Sequence, residues 1–229
     1  LTDLTGKNVA IVSGGMDSVT MLYHMYDIVG DAIHVLSFNY GQKHKKELDY
    51  VAFHTDKLEL PWNVIDLTSV TNLLTRSALV GKSEVPEGHY AAENMKQTVV
   101  PNRNMMMASI AAAALINNGG YILGLGIHAG DHAIYPDCRV AFAEILEVTL
   151  KIANEGFIHP QFTVFAPWLT VPKQEIARVG TERYGIDYSK TWSCYKGGEL
   201  HCGKCGTCVE RKEAFVLADV EDPTKYEEN

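Results

Sequence analysis

This sequence has no long apolar runs. No stretch approaches the roughly 18 consecutive apolar residues that a bilayer-crossing helix needs, and the N-terminal residues lack a charged-then-apolar leader pattern. The expectation is a cytoplasmic protein with no membrane partner. Basic charge is also in short supply: 20 Lys and Arg stand against 28 Asp and Glu, a formal net charge of −8. That balance argues against a general nucleic-acid surface and favours small-molecule substrates. Cysteine is scarce, five in 229 residues, and the number is odd. Four of the five fall between positions 194 and 208, which is poor logic for disulfides and good logic for a metal. Repeats and low-complexity tracts are absent too.

The chain does contain a regular alternation of elements. Apolar, β-rich runs recur at Val9 to Val12, Ala32 to Phe38, Trp62 to Leu67, Tyr121 to Leu125 and Phe162 to Phe165, with helical patterns in most of the gaps. Between Lys43 and Leu58 the set Leu48, Val51, Ala52, Thr55 and Leu58 steps by three and four, as on one face of a helix. Met105 to Ile116 is apolar almost all round and reads as a fully buried helix stopped at Gly119-Gly120. Buried strands with helical crossovers predict an α/β fold, a parallel sheet with helices on both faces and ligands beyond the carboxyl ends of the strands. The chain divides into residues 1–190, the main domain, and 191–229, a small cysteine-bearing module with an acidic tail that reads as frayed. Residues 68–101 lack a long periodic element, as lids and binding loops do.

The first run ends in Ser13-Gly14-Gly15-Met16-Asp17-Ser18 and leads into a helical stretch. Two glycines allow a tight turn and close approach of backbone to ligand, and the first amides of the helix are unpaired donors at a positive dipole end. Such a loop suits a phosphate, yet it has neither the lysine of the Walker loop nor the spacing of the dinucleotide motif. Ser13 and Ser18 then supply hydroxyl donors. Asp17 either caps the helix or holds Mg²⁺ through water.

Cys202, Cys205 and Cys208 form C-x-x-C-x-x-C, with Cys194 eight residues upstream. Four thiolates close the tetrahedral shell of a structural Zn²⁺. An iron–sulfur cluster is the alternative, although there the fourth cysteine usually follows the triplet. Cys138 reads as a small packing residue, His201 as a solvated neighbour of the cluster, and His128 and His132 as hydrogen-bonded loop residues.

The glycine loop resembles that of the PP-loop, or N-type, ATP pyrophosphatases, which cleave ATP to AMP and pyrophosphate. Four further motifs narrow the resemblance: Tyr40-Gly41-Gln42-Lys43-His44, Val100-Pro101-Asn102-Arg103-Asn104, Tyr135-Pro136-Asp137-Cys138-Arg139, and Thr191-Trp192-Ser193-Cys194-Tyr195 before the cysteine triplet. Together, over about Val9 to Phe215, they resemble the family of 7-cyano-7-deazaguanine synthases. The resemblance implies a Rossmann-like, adenine-nucleotide alpha-hydrolase-like sheet and a homodimer. It also implies ATP-dependent conversion of 7-carboxy-7-deazaguanine and ammonia to the nitrile. Carried over residue by residue, it makes Ser13, Gly14, Gly15, Met16, Asp17, Ser18 and Lys173 the ATP-binding set. Asp17, Lys43 and Arg103 become the catalytic candidates. Asp131, Tyr135, Asp137 and Arg139 become the deazaguanine contacts, and Cys194, Cys202, Cys205 and Cys208 the metal ligands. Two departures stand out: Ala133-Ile134 replaces a Ser-Gly pair, and Asn102 replaces a glycine. They leave one rival reading, a sister ligase that stops at an amide or joins an amine other than ammonia; the wider superfamily adds a tRNA-thiolating enzyme, and the cysteines alone a zinc-ribbon nucleic-acid binder.

Overall fold

The computed structural model describes residues 7–228, without the side chains of Asp131 and His132. Five strands, β1 (Asn8–Ile11), β2 (Ile33–Asn39), β3 (Trp62–Asp66), β4 (Ile122–Leu125) and β5 (Thr163–Phe165), form one sheet in the order β3-β2-β1-β4-β5. Every neighbouring pair is parallel, so each connection must cross over the sheet. Helices supply the crossovers: α1 (Met16–Val29), α2 (Glu47–Lys57), α3 (Arg103–Asn117) and α4 (Val140–Ala153), with α5 (Lys173–Glu182) and α6 (Gly206–Ala218) after β5. The five strands coincide with the five apolar runs to within a residue or two.

Alternation along the strands splits the core into two layers. Val9, Leu36, Phe38, Leu123 and Leu125 pack with α3 and α4, whereas Ala10, Val12, Ile33 and Val35 pack with α1, α5 and α6. The chain leaves β1 toward one face through α1 and leaves β4 toward the other through α4. Strand order therefore reverses between β1 and β4, which opens a crevice at their carboxyl ends.

Several elements differ from the sequence expectation. The α3 helix is not buried all round: Met107, Ala108, Ala111, Ala112 and Leu115 are covered while Ser109 and Ala113 face out. Its alanines are small enough to be apolar without needing burial. Residues Glu93–Asn117 would pass as a membrane span by length and composition, but Asn102, left-handed at φ 61°, breaks the run, and α3 rests on β1 and β4. On α2 the buried stripe includes Glu47 and His54 beside Val51 and Thr55, two polar positions the pattern did not mark. Residues 68–101 form 3₁₀ turns and pack closely, burying Leu74, Leu79, Met95 and Thr98. The Leu79 carbonyl accepts from Lys43 N–H, and Gly88 N–H donates to Lys204 O.

The C-terminal residues are tied down. Arg211 on α6 is fully buried, donating to Tyr188 O at 2.8 Å, Thr191 Oγ1 at 2.9 Å and Thr224 Oγ1 at 2.7 Å. The acidic segment is docked rather than frayed: Asp222 accepts from Tyr226 Oη at 2.6 Å, and Glu227 N–H donates to His201 O. His201 is buried rather than solvated, with its ring centroid 4.3 Å from that of Trp192 and Nε2 accepting from Ser193 N–H. Burial pushes its pKa down to about 3, which keeps Nε2 free to accept.

Candidate active site

The crevice between β1 and β4 holds a cavity of about 180 Å³. One wall is the glycine loop. Gly15 occupies the N-cap of α1 without a side-chain cap, so the first amides of the helix are left for a ligand. At Gly14 the backbone is left-handed, φ +91°, and a Cβ would fall 2.1 Å from the Glu47 carbonyl oxygen, so the position demands glycine. The Gly14 carbonyl accepts from Trp192 N–H at 2.9 Å. Ser18 Oγ accepts from Ser13 N–H, lies 3.2 Å from Ser13 Oγ and donates to Gly15 O. The hydroxyls thus hold the loop in shape. Met16 puts its side chain in the core and leaves the loop only its backbone.

Asp17 sits in the first turn of α1 without capping it. Its Oδ2 lies 2.9 Å from Lys173 Nζ, which is also 2.8 Å from Glu210 Oε2. His128 Nε2 lies 3.7 Å from Asp17 and 3.8 Å from Glu210, and its Nδ1 accepts from Gly130 N–H. Burial alone would raise the pKa of Asp17, but the charges of Lys173 and His128 and the Lys173 hydrogen bond outweigh it and hold the carboxyl low. Among the described residues, Asp17 Oδ1 is buried with no hydrogen-bond partner. Glu210 was not legible in the sequence: nothing marks it off from a surface glutamate until α6 packs against α5.

The remaining lining includes Tyr40, His44, Glu47, Arg103, Cys138 and Tyr195. Arg103 opens α3 directly after Asn102, whose left-handed backbone explains why the resembling family uses glycine there and why Asn, tolerant of that region, can replace it. Burial opposes the charge of Arg103, yet Tyr40, Tyr195, Cys138 and Asp137 together keep it firmly protonated. Burial pushes Glu47 up to about 8 against the opposing effects of Gln42 and Arg103. His44 is pushed down to about 3 by burial and then by Arg103.

The candidate residues are therefore not all in one place. Ser13, Gly15, Asp17, Ser18, Arg103 and Lys173 line the cavity together. Tyr135 lines a small annex that shares Tyr195 and Thr207 with it, and its hydroxyl is 2.6 Å from Thr98 Oγ1. Asp137 accepts from Asn104 N–H at 3.2 Å, so it caps α3 rather than the helix that follows it. Arg139 is exposed at the N-cap of α4. Lys43 is exposed outside the cavity lining, its Nζ donating to Ser83 O. Asp131 falls in a 3₁₀ turn, Ala129–Ala133, and its side chain lies outside the described residues.

Behind the Ser193–Tyr195 wall, one sulfur each from Cys194, Cys202, Cys205 and Cys208 lies within 4.8 Å of the others, all four buried. Hydrogen bonds among the four thiols lower the pKa of Cys194 and raise those of Cys202 and Cys208. Cys138 is a buried packing residue whose Sγ lies 3.5 Å from Asn104 Nδ2.

A family model described as "Queuosine biosynthesis protein QueC" matches residues 7–219. The chain is 46% identical over 222 residues to a 7-cyano-7-deazaguanine synthase of Paracoccus denitrificans, covering 97% of this chain and 94% of that one. It is 47% identical over 224 residues to the synthase of Hahella chejuensis, covering 98% and 94%. Among solved structures it is similar to an NH3-dependent NAD synthetase from Campylobacter jejuni, with a TM-score of 0.47 and 13% identity over 94% of this chain and 76% of that one.

Proposed function

The chain belongs to the QueC family of queuosine biosynthesis proteins, and from that membership we propose that it makes 7-cyano-7-deazaguanine from 7-carboxy-7-deazaguanine, ammonia and ATP. The observation that carries the reading is a single cavity with an uncapped helix start and a Lys173–Asp17 pair in one wall and Arg103 in another. A carboxylate resists ammonia because its leaving group would be hydroxide. Attack of the carboxylate on the α-phosphate of ATP gives an acyl-adenylate and pyrophosphate, and ammonia then displaces AMP. A second ATP activates the amide oxygen, and loss of AMP leaves the nitrile. The loop amides and Lys173 hold the pyrophosphate end, and Arg103 clamps the substrate carboxylate or the α-phosphate. Tyr135 and Asp131 contribute to the deazaguanine side. Asp137, Arg139 and Lys43 act from outside the lining, Asp137 by holding the start of α3 beneath Arg103.

Asp17 Oδ1, an acceptor with no donor among the described residues, suits Mg²⁺. When bound, the ion supplies charge neutralisation to the leaving pyrophosphate. Thiolates about 2.3 Å from a tetrahedral ion stand about 3.8 Å apart, and the tight sulfur grouping favours one Zn²⁺ over an iron–sulfur cluster. Such reduced thiols suit the cytoplasm. On α4, Ile145, Val148 and Ile152 are exposed along one stripe, continued by Phe157 at 84% exposure. An unpartnered apolar face of this kind supports a homodimer.

The test is incubation with 7-carboxy-7-deazaguanine, ammonium, magnesium and ATP. The expected products are AMP, pyrophosphate and the nitrile by mass spectrometry. Release of ADP, or an amide that persists with ample ATP, would sink the reading.

A further inference from the structure

We propose that Glu47, oriented by His44, is the proton acceptor for the amine nitrogen in both halves of this reaction. The inference rests on the reaction assigned above. Its starting point is a chemical requirement: an ammonia nitrogen that ends as a nitrile nitrogen gives up three protons. In the first half the ammonia lone pair forms a bond to the acyl carbon. The carbon–oxygen bond to the adenylate breaks with its electron pair leaving on AMP, and the nitrogen, now cationic, sheds one proton. In the second half the amide oxygen bonds to the α-phosphorus of ATP as pyrophosphate departs, and the nitrogen sheds another. The carbon–oxygen bond then breaks, its electron pair leaves on AMP, and loss of the last proton completes the triple bond. None of these bond changes at oxygen itself removes a proton from nitrogen, so a proton acceptor must lie near the nitrogen.

The two carboxylates at the pyrophosphate end, Asp17 and Glu210, are both engaged with Lys173. Glu47 is a third carboxyl, 7% exposed, and it lines the same cavity. Its position is fixed because its backbone packs against Gly14 and its Oε1 accepts from Gln42 Nε2 at 3.1 Å. Oε2 lies 3.6 Å from His44 Nε2, so the ring packs against the carboxyl and limits its rotation without a direct hydrogen bond. His44, 5% exposed, lines the cavity as well, and a hydrogen bond to the Tyr195 backbone helps to hold its ring beside Glu47.

Besides burial, the Gln42 hydrogen bond and the Arg103 charge bear on the titration of Glu47, with Tyr40 and the neutral His44 as its titratable neighbours. With burial raising Glu47 to about 8, its conjugate acid is matched to an amine far better than an ordinary carboxyl. His44 stays neutral in the same range and orients without adding charge.

Glu47→Gln separates this role from a structural one. In a single turnover without ammonia, the variant is expected to release pyrophosphate within about threefold of the wild-type rate. Its kcat/KM for ammonia is expected to fall by about 10²–10³-fold. Plotted against the concentration of free NH3, the wild-type value should rise through an ionisation near 8 that E47Q lacks. Glu47→Asp keeps a carboxylate at a longer reach, and it should restore part of the rate with the ionisation displaced. Equal loss of adenylation in E47Q, unchanged ammonia kinetics, or an ionisation that survives without a carboxyl would each overturn the proposal. Wild-type protein that releases no pyrophosphate would instead sink the reaction assignment.

Discussion

Lys173 holds one positive charge between two carboxylates, and its side chain is almost fully buried. Removing one partner from such a group leaves the others charged and unpaired, which costs about 3–5 kcal/mol. Lys173→Ala should therefore lower the urea midpoint by that equivalent, and adding Glu210→Ala should recover part of the loss in a double-mutant cycle. Two carboxyls give opposite pH dependences. Asp17, held low, contributes stability above the ordinary carboxylate pKa that is lost as pH falls through its depressed folded value. Glu47, raised from 4.5 to about 8, is fully stabilising below its unfolded pKa, and that contribution is lost as pH rises through the folded one. Comparing urea unfolding at pH 5 and pH 8, E47Q should narrow the wild-type decline by an amount on the order of 3 kcal/mol. The sequence made Ser13, Asp17 and Arg103 legible because each sits in a compact motif. Glu47, His44 and Glu210 acquire meaning only from what packs beside them.

At the scale of elements, the cysteine cluster and the cavity beside the glycine loop share one helix. Cys205 is the N-cap of α6, Cys208 lies in its first turn, and Glu210 follows to reach Lys173. A metal held by these cysteines would fix the start of the helix that aims Glu210. Releasing it with a mercurial and a chelator should lower the Tm and raise KM for ATP several-fold, followed by metal analysis and ATP titration. Metal loss with KM unchanged would break this link. The five strands were legible because continuous apolar runs of strand length have few other uses. The one-sided burial of α3 was not, since alanine is at home on either side of a helix. Nor was the docking of the C-terminal segment, which depends on Arg211, a charged residue that sequence reasoning assigns to the surface.

For the whole molecule, the boundary drawn at residue 190 marks a change of composition, while the structure runs across it: Arg211 on α6 gathers Tyr188, Thr191 and Thr224. Ile152→Glu together with Ile145→Glu on the open face of α4 should halve the mass seen by light scattering and leave the circular dichroism unchanged. A wild-type monomer would remove the homodimer. The bond from Trp192 N–H to Gly14 O has a further consequence in the order of synthesis. A ribosome delivers the glycine loop first and its strap, with Lys173 and Glu210, only after the whole sheet has emerged. Nascent chains that have not reached Trp192 lack this brace, so the finished shape of the glycine loop belongs to the complete polypeptide rather than to the segment that carries the motif.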